Sequence, residues 1–179
     1  MKATGIVRRI DDLGRVVIPK EIRRTLRIRE GAPLEIYTGS NGEIIFKKYS
    51  PMEEISIAAA QYAEVLYKTI ELPVLICDHE QVIAAAGISK KEVLERRISS
   101  EWEEMLTQRQ TYQKTNQSTG MQPVDGVSRS ALIGIPILSN GDLSGSILFL
   151  EDDHCHQADD TLLKLATTAA LFFGKQMEP

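Results

Sequence analysis

Two dissimilar folds are expected in this chain of 179 residues. Over 1–50 the pattern predicts an all-β segment of four short strands with one short helix. Over 51–179 it predicts an α+β domain, an antiparallel sheet with terminal helices packed on one face. Apolar and polar residues alternate through most of the first segment, interrupted by a single helical stretch. Beyond it the patterns run helix, strands, helices, strands, helix. Charge divides at the same place. Residues 1–48 carry eleven Lys and Arg against six Asp and Glu, and the remainder ten against nineteen, so the overall charge of −4 conceals +5 in front and −9 behind. A basic segment on an acidic body is expected where one part meets phosphate and the other does something else.

The first segment reads in order. Residues 4–10 predict a strand, and Asp11, Asp12, Leu13 and Gly14 supply a turn in which Gly14 is free to take positive φ. A second strand over 15–18 follows. Pro19 suits the first position of a helix over 19–26, with Glu21 at the positive end of its dipole. Ile22 and Leu26 define a buried side one turn apart, which turns Arg23, Arg24 and Arg27 to solvent. Leu34 and Ile36 oppose Glu35 and Tyr37, and Ile44 and Phe46 oppose Glu43, Ile45 and Lys47. The turn at Gly39, Ser40, Asn41 and Gly42 joins these two strands as a hairpin. A helix-turn-helix is excluded, because one helix between strands is not two adjacent helices. Four short strands and two helical turns bury too little apolar surface to stand alone, so an intertwined dimer is expected.

The motif series Gly5-Ile6-Val7-Arg8, Leu13-Gly14-Arg15-Val16-Val17-Ile18-Pro19, Arg23-Arg24-Thr25-Leu26, Leu34-Glu35-Ile36-Tyr37 and Lys47-Lys48-Tyr49 resembles the AbrB family of bacterial transition-state regulators. The resemblance spans nearly all of the first fifty residues. It implies a swapped-hairpin β-barrel dimer that binds double-stranded DNA through arginines. By motif position it assigns that role to Arg8, Arg15, Arg23 and Arg24, and the neighbouring cations Arg9, Lys20 and Arg27 extend the list. Arg27 stands where the family pattern commonly has glycine.

In the larger domain, Ser50, Pro51 and Glu53 read as a capping box that opens a helix over 51–69 with Ile55, Ala59, Tyr62 and Leu66 on one stripe. Strands are expected over 73–77 and 82–86, helices over 90–97 and 100–108, and a hairpin of 131–138 with 143–150 across Ser139, Asn140, Gly141 and Asp142. Asp159 or Asp160 caps a last helix whose stripe is Leu162, Leu165, Ala169 and Phe172 and whose stop is Gly174. This pattern resembles a GAF domain. An AbrB-like head followed by such a domain implies a regulator, activator or repressor, of late sporulation genes that assembles as a homotetramer.

Domains of the GAF kind commonly hold small effectors, and 114–130 is a long polar stretch suited to cover one. Arg129 between Ser128 and Ser130 is the candidate anion anchor, with Trp102 and Tyr112 as candidate pocket walls. The cyclic-nucleotide motif of some GAF domains is absent from the sequence. His154, Cys155 and His156 with neighbouring carboxylates would need further metal ligands, and His79 is the remaining histidine, so no metal and no cofactor are expected. No nucleophile-elbow, Walker or zinc-hydrolase pattern occurs, so the chain is not expected to be an enzyme. Cys77 and Cys155 are expected as reduced thiols. The N-terminus lacks a run of signal-peptide type, and Lys164 breaks the last apolar run short of the ~20 residues that span a bilayer, which predicts a cytoplasmic protein away from membranes. Two other readings stand beside the regulator: an antitoxin, whose folds share this head, and a metabolite or metal sensor.

Overall fold

The computed structural model describes residues 4–115 and 120–178. The chain forms two units, the first ending at Tyr49 and the second beginning at Ser50. In the first, helix α1 (Lys20–Thr25) precedes a hairpin of β1 (Leu34–Thr38) and β2 (Ile44–Lys48). Pro19 is the N-cap rather than the first helical residue. The hairpin pairs Ile36 with Phe46 and Thr38 with Ile44, and its turn is closed by the Gly39 N–H donating to the Glu43 carbonyl at 2.8 Å.

The strands expected over 4–10 and 15–18 are not assigned. An extended segment becomes a strand only when its N–H and C=O groups find a neighbouring chain, and where these two segments meet, Asp11 N–H donates to the Arg15 carbonyl at 3.1 Å. The buried side expected of α1 is also not formed. Ile22 is half-buried, Leu26 is 54% exposed, and none of residues 4–49 is buried. The alternation in the hairpin is real, yet Ile36, Ile44 and Phe46 on its apolar face lie open.

Helix α1 stops in a Schellman arrangement. Arg27 N–H donates to the Arg24 carbonyl at 3.2 Å, and Ile28 N–H reaches back to the Arg23 carbonyl at 2.7 Å. This closure requires a left-handed residue at the first position past the cap, and Arg27 adopts φ +52°. The charge that replaces a glycine therefore sits in a conformation that glycine enters freely.

In the second unit α2 (Pro51–Glu54) and α3 (Ser56–Ile70) replace the single helix expected over 51–69, with Ile55 as the α3 N-cap. Ser50 does not cap: its buried Oγ has no hydrogen-bond partner, and the Glu53 side chain of the expected box lies outside the described residues. The sheet has the order β4-β3-β7-β6-β5, antiparallel throughout, from β3 (Val74–Cys77), β4 (Val82–Ala86), β5 (Tyr112–Gln113), β6 (Ala131–Ser139) and β7 (Asp142–Leu150). The β6–β7 turn carries Asn140 at φ +50° and Gly141 at +83°, the pair of left-handed residues that a two-residue hairpin turn demands.

Side chains alternate across this sheet, so it builds two cores. Val74, Ile76, Ile147 and Phe149 pack with Ala59, Ala63 and Leu66 of α3 and with Ala166, Ala169 and Phe173 of α6 (Asp160–Gln176). Leu75, Cys77, Leu148 and Leu150 pack on the other side with Trp102, Leu106, Met121 and Val124. That second layer holds α4 (Lys90–Val93) and α5 (Ser100–Thr107), the latter capped by Ser99, whose hydroxyl accepts from Trp102 N–H at 3.2 Å. The helix expected over 90–97 ends early because Glu95 turns left-handed at φ +61° and Arg97 bridges to Gln81.

The last helix is turned by one residue from expectation. Asp159 is its cap, accepting from Leu162 N–H at 2.8 Å. Phe173 is fully buried, whereas Phe172 is 40% exposed and stacks on Tyr62 with centroids 5.0 Å apart. Gly174 is not a stop but lies within the helix, where an added Cβ would come 2.3 Å from the Leu138 carbonyl oxygen. Helix and strand approach too closely for any other residue, and this contact fixes the rotation. Among the described residues no helix is long and apolar enough to cross a membrane.

The cap at Arg27 yields a test. Arg27→Gly is expected to raise the unfolding free energy of the first unit by about 1 kcal/mol, because the left-handed penalty of ~1–2 kcal/mol exceeds the extra chain entropy of glycine. Denaturant unfolding followed by circular dichroism reads it. An unchanged or lowered stability would contradict the strained cap.

Candidate nucleic-acid interface

The cations singled out from the sequence lie on three pieces of the first unit. Arg8 and Arg9 are exposed in the segment before the Asp11 turn, Arg15 follows that turn, and Lys20, Arg23, Arg24 and Arg27 lie on α1 or at its end. Arg8 Nη1 donates to the neighbouring Val7 carbonyl, at 3.4 Å. Lys20, Arg24 and Arg27 are exposed. Arg23 departs from the expectation of a solvent-facing side chain, since it is half-buried and its enclosed Nε has no hydrogen-bond partner among the described residues. It lines an open groove of about 330 Å³ together with Val17, Ile18, Ile28 and Leu34. The short helix presses one face of its arginine ladder toward the following loop, which a two-turn amphipathic reading does not foresee.

Arg15 is held by a residue that the sequence reading passed over. Asp11 Oδ1 accepts the N–H groups of Leu13 at 3.0 Å and Arg15 at 2.7 Å. Its Oδ2 accepts from Arg15 Nε at 2.8 Å. These bonds stabilise the charged carboxylate, first through the Arg15 backbone N–H and then through its side chain, and hold the Asp11 carboxyl below its ordinary range. Gly14 at φ +77° lets the chain turn tightly enough for this four-residue closure. The Arg15 side chain stays 69% exposed.

The effector candidates of the second unit do not form one pocket wall. Trp102 is a core residue: it is fully buried, its Nε1 donates to Ser146 Oγ at 3.1 Å, and a Cβ on Gly134 would come 2.5 Å from its ring. Tyr112 is half-buried, and its hydroxyl accepts from Met121 N–H at 3.3 Å. Ser128 is exposed and Ser130 half-buried. Arg129 is half-buried and donates to the Glu151 carbonyl at 3.2 Å, while the Glu151 carboxylate is ion-paired with Lys114. Of the stretch over 114–130, residues 116–119 lie outside the described residues, and Met121, Pro123, Val124 and Val127 are buried, so this part is core packing rather than a solvated cover.

The histidine-cysteine cluster is arranged around Asp152, whose Oδ1 accepts from His154 N–H at 2.9 Å and Cys155 N–H at 2.7 Å. Those backbone bonds, the one from His154 foremost, hold the Asp152 carboxyl below its ordinary range. Among the described residues no group of three His, Cys, Asp or Glu side chains is placed to hold a metal ion. Cys77 and Cys155 are free thiols. Burial pushes the Cys77 thiol well up, the charge of Asp78 adding to it.

Two family models match the chain. The family described as "Stage V sporulation protein T C-terminal, transcription factor" matches residues 54–178, and the one described as "Antidote-toxin recognition MazE, bacterial antitoxin" matches residues 7–54. Stage V sporulation protein T of Bacillus subtilis is 48% identical over 181 residues, which span 99% of each chain. The transition state regulatory protein AbrB of Bacillus subtilis is 63% identical over 51 residues, 28% of this chain and 52% of that one. The solution structure of its N-terminal DNA recognition domain covers 28% of this chain and 94% of that one, with a TM-score of 0.24. The cofactor binding GAF domain of the nutrient sensor CodY from Clostridium difficile covers 66% of this chain and 83% of that one at 14% identity, with a TM-score of 0.48. With near-complete coverage of one relative and a family match over most of its length, the chain belongs to the stage V sporulation protein T family of transcription factors.

Proposed function

We propose that this chain is a homo-oligomeric, sequence-selective regulator of late sporulation genes that binds double-stranded DNA through arginines of its first unit. It works as activator or repressor in the cytoplasm, and no catalytic step is assigned to it. The observation that carries the reading is the 48% identity to stage V sporulation protein T over 99% of the chain. The residues support it. Arg8, Arg15 and Arg24 stand exposed on a unit of strong positive charge, with Arg9, Lys20 and Arg27 beside them. Arg27 occupies a left-handed position that costs of order 1 kcal/mol.

The second unit serves self-association, and Arg129, Ser128, Ser130 and Tyr112 are its candidate effector contacts. The antitoxin reading draws on the MazE-type match over 7–54. Against it stands a second unit with cores of its own on both faces of a five-stranded sheet, which a short toxin-wrapping tail does not have.

Duplexes selected by the full chain from a random pool provide the DNA test. Each phosphate contact removed lowers the slope of log affinity against log salt by about 0.9, so Arg23→Ala with Arg24→Ala is expected to lower it by about 1.8. Unchanged affinity and slope would overturn the surface. Arg23→Ala alone is expected to loosen the first unit as well, since its side chain is partly packed.

Self-association of the second unit is supported by apolar side chains left open on its terminal helices. Ile57 is 77% exposed, Val65 59% and Leu171 67%. Such faces are expected to meet another copy and to join two head dimers into a tetramer. Sedimentation should show residues 54–179 as a dimer and the full chain as a tetramer. A monomeric 54–179 would remove self-association from this unit.

A further inference from the structure

We propose that Asp11 is a positioning residue for Arg15, one that holds the guanidinium by its Nε edge and presents the other edge to duplex DNA. The inference rests on the DNA-binding reading above. The carboxylate divides its two oxygens between two tasks. Oδ1 fastens the turn through the N–H groups of Leu13 and Arg15, and Oδ2 takes the Arg15 side chain at 2.8 Å. The backbone adds Asp11 N–H to Arg15 carbonyl at 3.1 Å and Gly14 N–H to Asp11 carbonyl at 3.0 Å. Arg15 is therefore anchored at both its main chain and its Nε to one residue four positions earlier.

A guanidinium has five N–H donors in a planar fork. The bond to Asp11 uses the Nε donor alone. Among the described residues the four donors on Nη1 and Nη2 meet no protein acceptor, and the side chain is 69% exposed. These are the donors that address a phosphate or a guanine edge in bidentate fashion. A free surface arginine loses most of its rotamer entropy when it is fixed on DNA. One already fixed along its stem loses less, and only at sites where its preset direction meets an acceptor.

The charge of Asp11 has a separate effect. A carboxylate beside a phosphate-binding arginine weakens the general attraction to every duplex, because that attraction is electrostatic and independent of sequence. Its cost is uniform, whereas its positioning benefit is confined to matching sites. The positioning benefit alone raises discrimination, and the uniform cost lowers bulk affinity, so Asp11 and Arg15 act as a specificity-determining pair.

Asp11→Asn separates the two oxygens' tasks, because asparagine keeps one oxygen for the turn and replaces the other with a donor that repels Arg15 Nε. With the full chain, a selected duplex and a scrambled duplex, Asp11→Asn is expected to lower the selected-to-scrambled affinity ratio about fivefold in the wild-type background and to leave it unchanged in an Arg15→Ala background. An equal gain on both duplexes would make Asp11 a charge brake only, and equal losses in both backgrounds would make it a turn residue only; each overturns the proposal. If Arg15→Ala itself changes binding to neither duplex, it is the role of Arg15 in the DNA surface that fails, a different outcome. Hydrogen exchange of the arginine Nε–H groups, read by NMR on the unmutated chain, needs no variant to fold. The Arg15 Nε–H is expected to exchange several-fold more slowly than that of exposed Arg24, and equal rates would overturn the grip.

Discussion

Everything in the first unit follows from the scarcity of apolar surface it is able to enclose by itself. Val7 is 86% exposed, Leu13 70%, Val17 71%, and Ile36 and Ile44 61% each. Burying a side chain of this kind contributes about 1.5–3 kcal/mol, so leaving a whole set in water forfeits the main driving force for folding. Isolated hairpins are marginal for the same reason. The apolar face formed by Ile36, Phe46 and Ile44 and the apolar residues over 4–10 and 15–18 are open in the single chain, and under the proposed function association covers them. That proposal links oligomerisation to DNA binding, because the arginines sit on the elements that association would order.

The second unit meets the opposite condition. Its sheet is covered on both faces, and close approach rather than apolar supply sets its details. Gly174 admits the Leu138 carbonyl, Gly134 admits the Trp102 ring, and an added Cβ on Gly145 would come 2.2 Å from the Cys77 carbonyl oxygen. Packing of this density resists deformation. A unit so built is suited to act as a firm base whose exposed helix faces, at Ile57 and Leu171, remain available for a second contact.

What the sequence made legible follows the range of the forces involved. Local chemistry was readable: Asn140 and Gly141 mark the β6–β7 turn, Asp159 marks the start of α6, and the motifs through Pro19 and Leu34 mark the family. Tertiary effects were not. The phase of α6 depends on Gly174 meeting a strand far away in sequence, and among the described residues the enclosed Ser50 Oγ has no partner at the start of α2. Trp102, a candidate pocket wall by sequence, is core instead, because Ser146, 44 residues on, supplies the partner its buried indole N–H needs. Asp11 was readable in principle, being an acid four residues before an arginine across a glycine turn, but turn chemistry alone gives no reason to connect it to recognition. Arg23 was misjudged because helical spacing says which side faces in, not how far a following loop climbs over that side.

DNA binding by the proposed dimer requires that the first unit have no folded existence as a single copy. Sedimentation and far-ultraviolet circular dichroism of residues 1–50 across a dilution series test this directly. The account predicts a dimer whose secondary structure disappears as it dissociates, both signals following one concentration dependence. A monomer that keeps its helix and hairpin at low concentration would contradict it.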